Sequence, residues 1–319
     1  MPKALEPDRI PDLLNPIFTD ADKAREHLEA LRWPEGPTCP HCGEAENTTR
    51  LEGEAHRKGV VQCNSCREQF TVTVGTLFER SHIPLNKWLM AFHLVAASKK
   101  AMSAHQMHRM LHVTYKTAWF MMHRIREAMA PKSRPKIGGP GKAVEVDETF
   151  WGMKPGAHKQ QAWHHKNAVV ALVERDSGQV RSFHVPSVTP KNVEKVLREN
   201  VEPSSHLMTD QAPHYNAIGR EFDQHSSVNH KRKEYVRGDV TTNTVEGFFS
   251  ILKRGLIGTY HHVGTQHLHR YVAEFDFRYN HRKTVDAEGI TRLISDAERA
   301  TAMLHGIQGK RLTYRRLDS

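Results

Sequence analysis

The chain is 319 residues long, carries a formal net charge of +10 and has a pI near 9.5. That length excludes a single small module and suits one large domain or two to three smaller ones. The excess of cations favours a polyanionic partner, of which nucleic acid is the commonest. The longest apolar stretch, WLMAFHLVAA at 88–97, is too short to cross a bilayer and contains His93, and MPKALEPDRI at the N-terminus has no signal-peptide core. A cytoplasmic protein without a membrane partner is expected.

Thr19 is placed to cap a helix from Asp20 to Leu31 with Ala24, Leu28 and Leu31 on one face, and WPEGP at 33–37 ends it. All four cysteines follow, as Cys39-Pro-His-Cys42 and Cys63-Asn-Ser-Cys66, with residues 43–62 between the pairs. Two such knuckles bring four thiolates tetrahedrally onto one zinc ion, and the insert lies at the edge of the zinc-ribbon range. Four thiolate ligands leave no open coordination position, so this zinc is expected to be structural. Disulfides or a redox pair would call for an oxidising compartment that no export signal indicates. VVQC at 60–63 and EQFTVTVGTLF at 68–78 alternate like the short strands a ribbon needs.

From about Pro84 to Met129 the pattern turns helical: LNKWLMAFHLVAA, then SAHQMHRMLH from a good cap at Ser103, then TYKTAWFMMHRIREAM from Thr114 after a two-residue turn. Helices joined so tightly resemble a helix-turn-helix, with a basic helical linker as the plainer alternative. Within it Arg109, Lys116 and Arg124 suit phosphate contacts, and Tyr115 and Lys116, at the start of the third helix, are best placed to reach base edges. The methionines at 102, 107, 110, 121 and 122 read as core filler.

PKSRPKIGGPGK at 131–142 is a Pro, Gly and Lys-rich break between domains. Beyond it AVEVDETFWG, NAVVALVER and RSFHVPS read as strands, the latter two joined as a hairpin through Asp176-Ser177-Gly178. Thr189-Pro190 opens a helix to about Glu199, HLMTD at 206–210 is a strand, HYNAIGREF is expected to be helical, SSVNH is a fifth strand, and TTNTVEGFFSILKRG starts a further helix. That order is the order of an RNase H-like domain, so the expected fold is α/β: a mixed-sheet catalytic core preceded by a zinc ribbon and a helix-turn-helix-like segment. The expected division is 1–78 for the N-terminal helix and ribbon, 79–135 for the helical segment, 136–283 for the core, and 284–319 for a C-terminal helix and basic tail.

This topology brings together Asp147 in the first core strand, Asp210 at the end of the fourth, and Glu246 in the first turn of the helix after the fifth. A carboxylate in the otherwise apolar VEVDETF needs a reason. Asp210 could instead cap the following helix, and Glu246 could close a capping box with Asn243. Three acids in one pocket repel unless hard divalent cations neutralise them. Two Mg²⁺ or Mn²⁺ ions about 3.5–4 Å apart would bridge a scissile phosphate, which implies phosphodiester hydrolysis or transesterification.

Thirty-five residues, 211–245, separate Asp210 from Glu246, and Lys253 follows Glu246 by seven. This resembles the D-35-E spacing and helix-borne lysine of DDE transposases. The stretches LRWPEGPTCPHCG, VEVDETFWG, VNHKRKEYVRGDVTTNTVEGFFSILKRGLIGTYHHV and HLHRYVAEFDFRYNHR are similar to the ISXO-type bacterial insertion-sequence transposases, over nearly the whole chain from about residue 17. The resemblance implies that Asp147, Asp210 and Glu246 ligate the divalent ions. It also implies that ribbon and helices bind the element's terminal inverted repeats and that the core cuts and joins DNA at ends and target, near the nucleoid; because two ends must be held together, a homo-oligomer on DNA is expected. Lys253, His230 and Lys231 are expected to meet the DNA backbone. A non-catalytic DNA-binding regulator, or a nuclease that stops at hydrolysis, would share most of these features. His261, His262, His267 and His269 are read as surface or DNA-facing rather than as a second metal site, and Glu274 and Asp276 would join the acidic site only if their helix ran beside it.

Overall fold

The computed structural model describes residues 13–158, 163–285 and 289–313. The chain packs into two compact units, residues 1–129 with 294–319, and residues 130–293. The C-terminal helix thus completes the N-terminal unit rather than standing apart. No helix among the described residues is long and apolar enough to cross a membrane.

In the first unit α1 (Pro16–Thr19) runs directly into α2 (Ala21–Arg32). The cap of α2 is Asp20, whose carboxylate accepts from the amides of Asp22 and Lys23, so the expected cap moves from Thr19 to the next residue. A carboxylate holds two amides where one hydroxyl would hold one. Strands β1 (Thr48–Arg50), β2 (Val61–Cys63) and β3 (Gln69–Phe70) form the small antiparallel ribbon sheet. The strand expected across 68–78 stops at Phe70. The Thr71 and Thr73 hydroxyls then bond each other, the Thr76 hydroxyl donates to the Thr73 carbonyl and accepts from the Phe78 amide, and Gly75 takes a positive φ, so the chain turns.

Helices α3 (Leu85–Ala97), α4 (Ala104–Leu111) and α5 (Tyr115–Met129) follow the expected bounds closely. Ser103 caps α4 through the Gln106 amide, and Thr114 receives the Thr117 amide at the start of α5. Between them His112 adopts the left-handed conformation that ends α4. The helix Asp296–His305 lies on α3, with a capping box at Ser295 and Glu298. Arg299 donates to the carbonyl of Ala96 at 2.8 Å, and Lys310 reaches the carbonyl of Glu127 at 2.6 Å. Residues 314–319, the end of the expected basic tail, lie outside the described residues.

The second unit is built on a five-stranded sheet of β4 (Ala143–Trp151), β5 (Asn167–Glu174), β6 (Val180–Val185), β7 (His206–Asp210) and β8 (Gln224–Val228), in the order β6-β5-β4-β7-β8. Strand β5 is antiparallel to both neighbours, whereas β4, β7 and β8 are parallel, which makes the sheet mixed and RNase H-like. Every residue of β5 is buried, as a central strand covered on both faces requires. One face packs Val144, Val146, Val170, Leu172 and Leu207 against Val193 and Leu197 of α6 (Pro190–Asn200), whose cap is Thr189. Over the other lies α7 (Asn243–Gly255), which follows a short hairpin of β9 (Val236–Arg237) and β10 (Val240–Thr241). Helix α8 (Leu268–Asn280) packs on β6, where Asn280 both donates to and accepts from the backbone of Val180. The expected helix at HYNAIGREF is instead two 3₁₀ turns, Pro213–Tyr215 and Ile218–Glu221, too short a stretch for Asn216 and Gly219 to sustain a regular helix. A hairpin of β11 (Lys283–Val285) and β12 (Thr291–Leu293) closes the unit.

Leu207 is fully buried in β7 between α6 and the sheet. Leu207→Ala is expected to cost about 2–5 kcal/mol, read as a lower denaturant midpoint.

Candidate active site

The pairing of β4 with β7 sets Ala143 beside His206 and Glu145 beside Met208. Asp147 and Asp210 each lie two residues further along, so they stand level on adjacent parallel strands and on the same face. On its other side Asp147 pairs with Ala171 of β5. Burial, then the neighbouring carboxylates of Glu148, Asp210 and Glu246, push Asp147 up to about 8, against the opposing hydrogen bond from the Glu148 amide. Burial and the charge of Glu148 raise Asp210 as well, while His214 and His230 and a bond from the Ala212 amide pull it back. That last bond, at 2.9 Å, is a local turn; the residue preceding the 3₁₀ helix is Ala212, so Asp210 is not its cap.

Glu246 reaches this face because α7 is pinned to it. Glu145 shares the face of Asp147 and accepts from the amides of Thr244 at 2.8 Å and Val245 at 3.0 Å and from the Thr244 hydroxyl at 2.8 Å. Glu246 is then one turn into the helix with its side chain about two-fifths exposed. The capping box expected with Asn243 is absent. The cap position is Thr242, and Glu246 accepts its hydroxyl at 3.0 Å instead of reaching back to a backbone amide. His230 Nε2 lies 3.6 Å from Glu246 Oε1, and the His230 amide is held by Gln211, the residue after Asp210. The 3₁₀ turn His230–Arg232 is therefore tied to both acids, with Lys231 exposed on it. Lys253 is exposed two turns beyond Glu246 on α7.

Sequence reasoning passed over two acids here. Glu145 carries a readable signal, a second charge two residues before Asp147 on the same face of an apolar strand. Glu148 turns to the other face, where it accepts the hydroxyl of buried Tyr215 at 2.7 Å. Glu274 and Asp276 do not join the site. Glu274 holds the hydroxyl of Tyr260 and the guanidinium of Arg278, and Asp276 receives the amide and hydroxyl of Ser182 on β6, at the sheet edge away from β7.

Cys39, Cys42, Cys63 and Cys66 place their sulfurs within 4.8 Å of one another, with Cys39–Cys66 at 3.7 Å and Cys42–Cys63 at 3.5 Å. A tetrahedron with Zn–S bonds of about 2.3 Å has edges near 3.8 Å, so the four thiols fit one structural zinc. Among the described residues this is the only group of three or more ligand atoms gathered so tightly, and it includes none of histidines 261, 262, 267 and 269. The three acids are spaced more loosely. Burial, with the added repulsion of neighbouring carboxylates, raises Asp147, and a divalent cation bound by such oxygen donors would relieve both.

In the first unit Arg109, Tyr115 and Lys116 are exposed, with Tyr115 stacked on His105 at 4.3 Å. Arg124 is half-buried. Its guanidinium lies over Phe120 and donates to the carbonyl of Leu312, because α5 turns that side inward.

A zinc-ribbon unit and an RNase H-like sheet, with Asp147 within β4, Asp210 at the end of β7 and Glu246 in the first turn of α7, define a chain of the transposase class. Residues 138–280 match the ISXO2-like transposase domain and residues 19–69 the transposase zinc-ribbon domain. Both matches are to transposase domains. A protein in transposable element ISH50 of Halobacterium salinarum is 28% identical over 279 residues, covering 82% of this chain and 91% of its own length. A chain in the cryoEM structure of the simian T-cell lymphotropic virus intasome with PP2A regulatory subunit B56 gamma aligns at 13% identity and a TM-score of 0.32, over 62% of this chain and 74% of its own.

The purified protein is expected to hold one zinc per chain by metal analysis, and Cys63→Ser to lose it. A second expectation follows from Asp147. Its folded value near 8 stands above its ordinary 3.8, so its contribution to stability is present below the ordinary value and lost as pH rises through about 8. Thermal melts of zinc-loaded, magnesium-free protein should therefore fall across that range, less so for Asp147→Asn, and added Mn²⁺ should stabilise the wild type most at pH 8.

Proposed function

We propose that this transposase binds the terminal inverted repeats of its insertion sequence, cuts a strand at each end, and joins the freed 3′-hydroxyl to target DNA. The observation that carries the reading is the level placement of Asp147 and Asp210 on parallel strands with Glu246 brought over them by α7. Asp147, Asp210 and Glu246 would hold two Mg²⁺ or Mn²⁺ ions. When bound, such ions activate the attacking oxygen and steady the leaving one. Cutting and joining are both in-line displacements at phosphorus, so one site serves for each.

The chain's own side chains orient the DNA. Lys253, seven residues after Glu246, lies on nearly the same face of α7 and suits a phosphate next to the acids. His230 and Lys231 offer further backbone contacts beside Glu246. At the start of α5 Tyr115 and Lys116 suit base edges of the repeat, with Arg109 on phosphate. Each element has two ends to be held together, which calls for at least a dimer on DNA.

Strand cleavage and transfer on labelled DNA bearing the element's end, with Mg²⁺, tests this reading. Glu246→Gln keeps the shape of the side chain but removes the charge. Partners outside the first ring of ligands are worth 10–100-fold, so loss of a ligand is expected to lower cleavage by about 100-fold or more, while end-binding and thermal stability persist. A wild-type protein that binds ends and never cuts, with varied metals and paired ends, would instead be a DNA-binding regulator.

A further inference from the structure

Glu145 is the most deeply buried acid beside the candidate site, at 0% exposure, on the strand that carries Asp147. A carboxylate out of water is costly unless every lone pair is used. Here both oxygens are occupied. One takes the amides of Thr244 and Val245, and the other takes the Thr244 hydroxyl and, at 2.8 Å, Nε of Arg175. Helix α7 meanwhile has no side-chain cap of its own at Thr242. The first free amides of the helix are satisfied from the sheet, by a residue about a hundred positions earlier in the chain. The helix N-terminus also carries partial positive charge, which an anion stabilises.

A cap from within the helix would stabilise it equally well and leave it free to shift over the sheet. A cap built into β4 fixes the helix to one strand, at two residues from Asp147, and so fixes Glu246 relative to Asp147. Arg175 extends the arrangement, because its guanidinium also donates to the carbonyl of Asp239 in the β9–β10 turn that leads into α7. We infer that Glu145, neutralised by Arg175, is a positioning residue that holds Glu246 in register with Asp147 and thereby sets the divalent-ion affinity of the acidic site. This rests on the site proposed above.

Two uncharged double variants of similar size isolate the effect. Glu145→Gln with Arg175→Met keeps an acceptor oxygen for the Thr244 and Val245 amides. Glu145→Met with Arg175→Met offers none, and replacing a buried ion pair by well-packed apolar groups is often tolerated by the fold. Mn²⁺ binding to the zinc-loaded, full-length protein is measured by calorimetry, with Asp147→Asn defining the site-specific part. The Gln variant should bind within about threefold of the wild type and the Met variant about 10–100-fold more weakly, with cooperative melting kept in both. Cleavage should follow the same order through kcat rather than KM for DNA. Equal Mn²⁺ affinity in the two double variants would overturn the inference, as would equal loss in both. If instead wild type and Asp147→Asn bind Mn²⁺ alike, the acidic site itself is wrongly placed, and the inference falls with it.

Discussion

Two parallel strands held in one register govern the catalytic unit. Because β4 and β7 pair with Glu145 beside Met208, the next two residues along bring two aspartates level on a single face. A slip of one residue would turn one of them to the opposite face, among the valines and leucines that pack on α6. The register is secured by those same apolar neighbours, Val144 and Leu207, which face α6 while the acids face α7. The greasy side of the sheet thus places the charged side. The fully buried β5 runs alongside, with Ala171 opposite Asp147.

This arrangement takes carboxylates out of water beside one another, and burial first, then neighbouring carboxylates, displaces Asp147 and Asp210 upward. The folded chain without cations is therefore held together elsewhere, by the core around α6 and by α8 along β6. Such conflict between local stability and the demands of a site is common where chemistry is done.

Much of this was legible from residue order. The cysteine knuckles, the three core helices of the first unit and the alternation of strands with helices all arise from short-range patterns, and the observed bounds of α3, α4, α6 and β7 lie at or within a residue of those read from them. The acids were legible because a charge in VEVDETF contradicts its apolar strand. What residue order did not show rested mostly on partners remote in sequence. The cap of α7 looked local, yet it comes from Glu145 on β4. Arg124 looked like one more cation on a basic face, yet the carbonyl of Leu312 lies against it. The stretch after Asp210 has helical spacing, but it breaks at Asn216 and Ala217 into two 3₁₀ turns.

The first unit is discontinuous in the chain. Leu77 receives its backbone partner from Ile307, Arg299 clasps the end of α3, and Met303, Leu304 and Ile307 are buried in the same unit as the ribbon. On the ribosome, domains tend to fold as their last residues emerge. The catalytic unit, complete by Leu293, is therefore ready before the N-terminal one, although the latter is made first. A polypeptide broken off between the two would carry the ribbon and its neighbouring helices without the segment that closes their core. Only finished molecules would therefore carry a well-formed first unit.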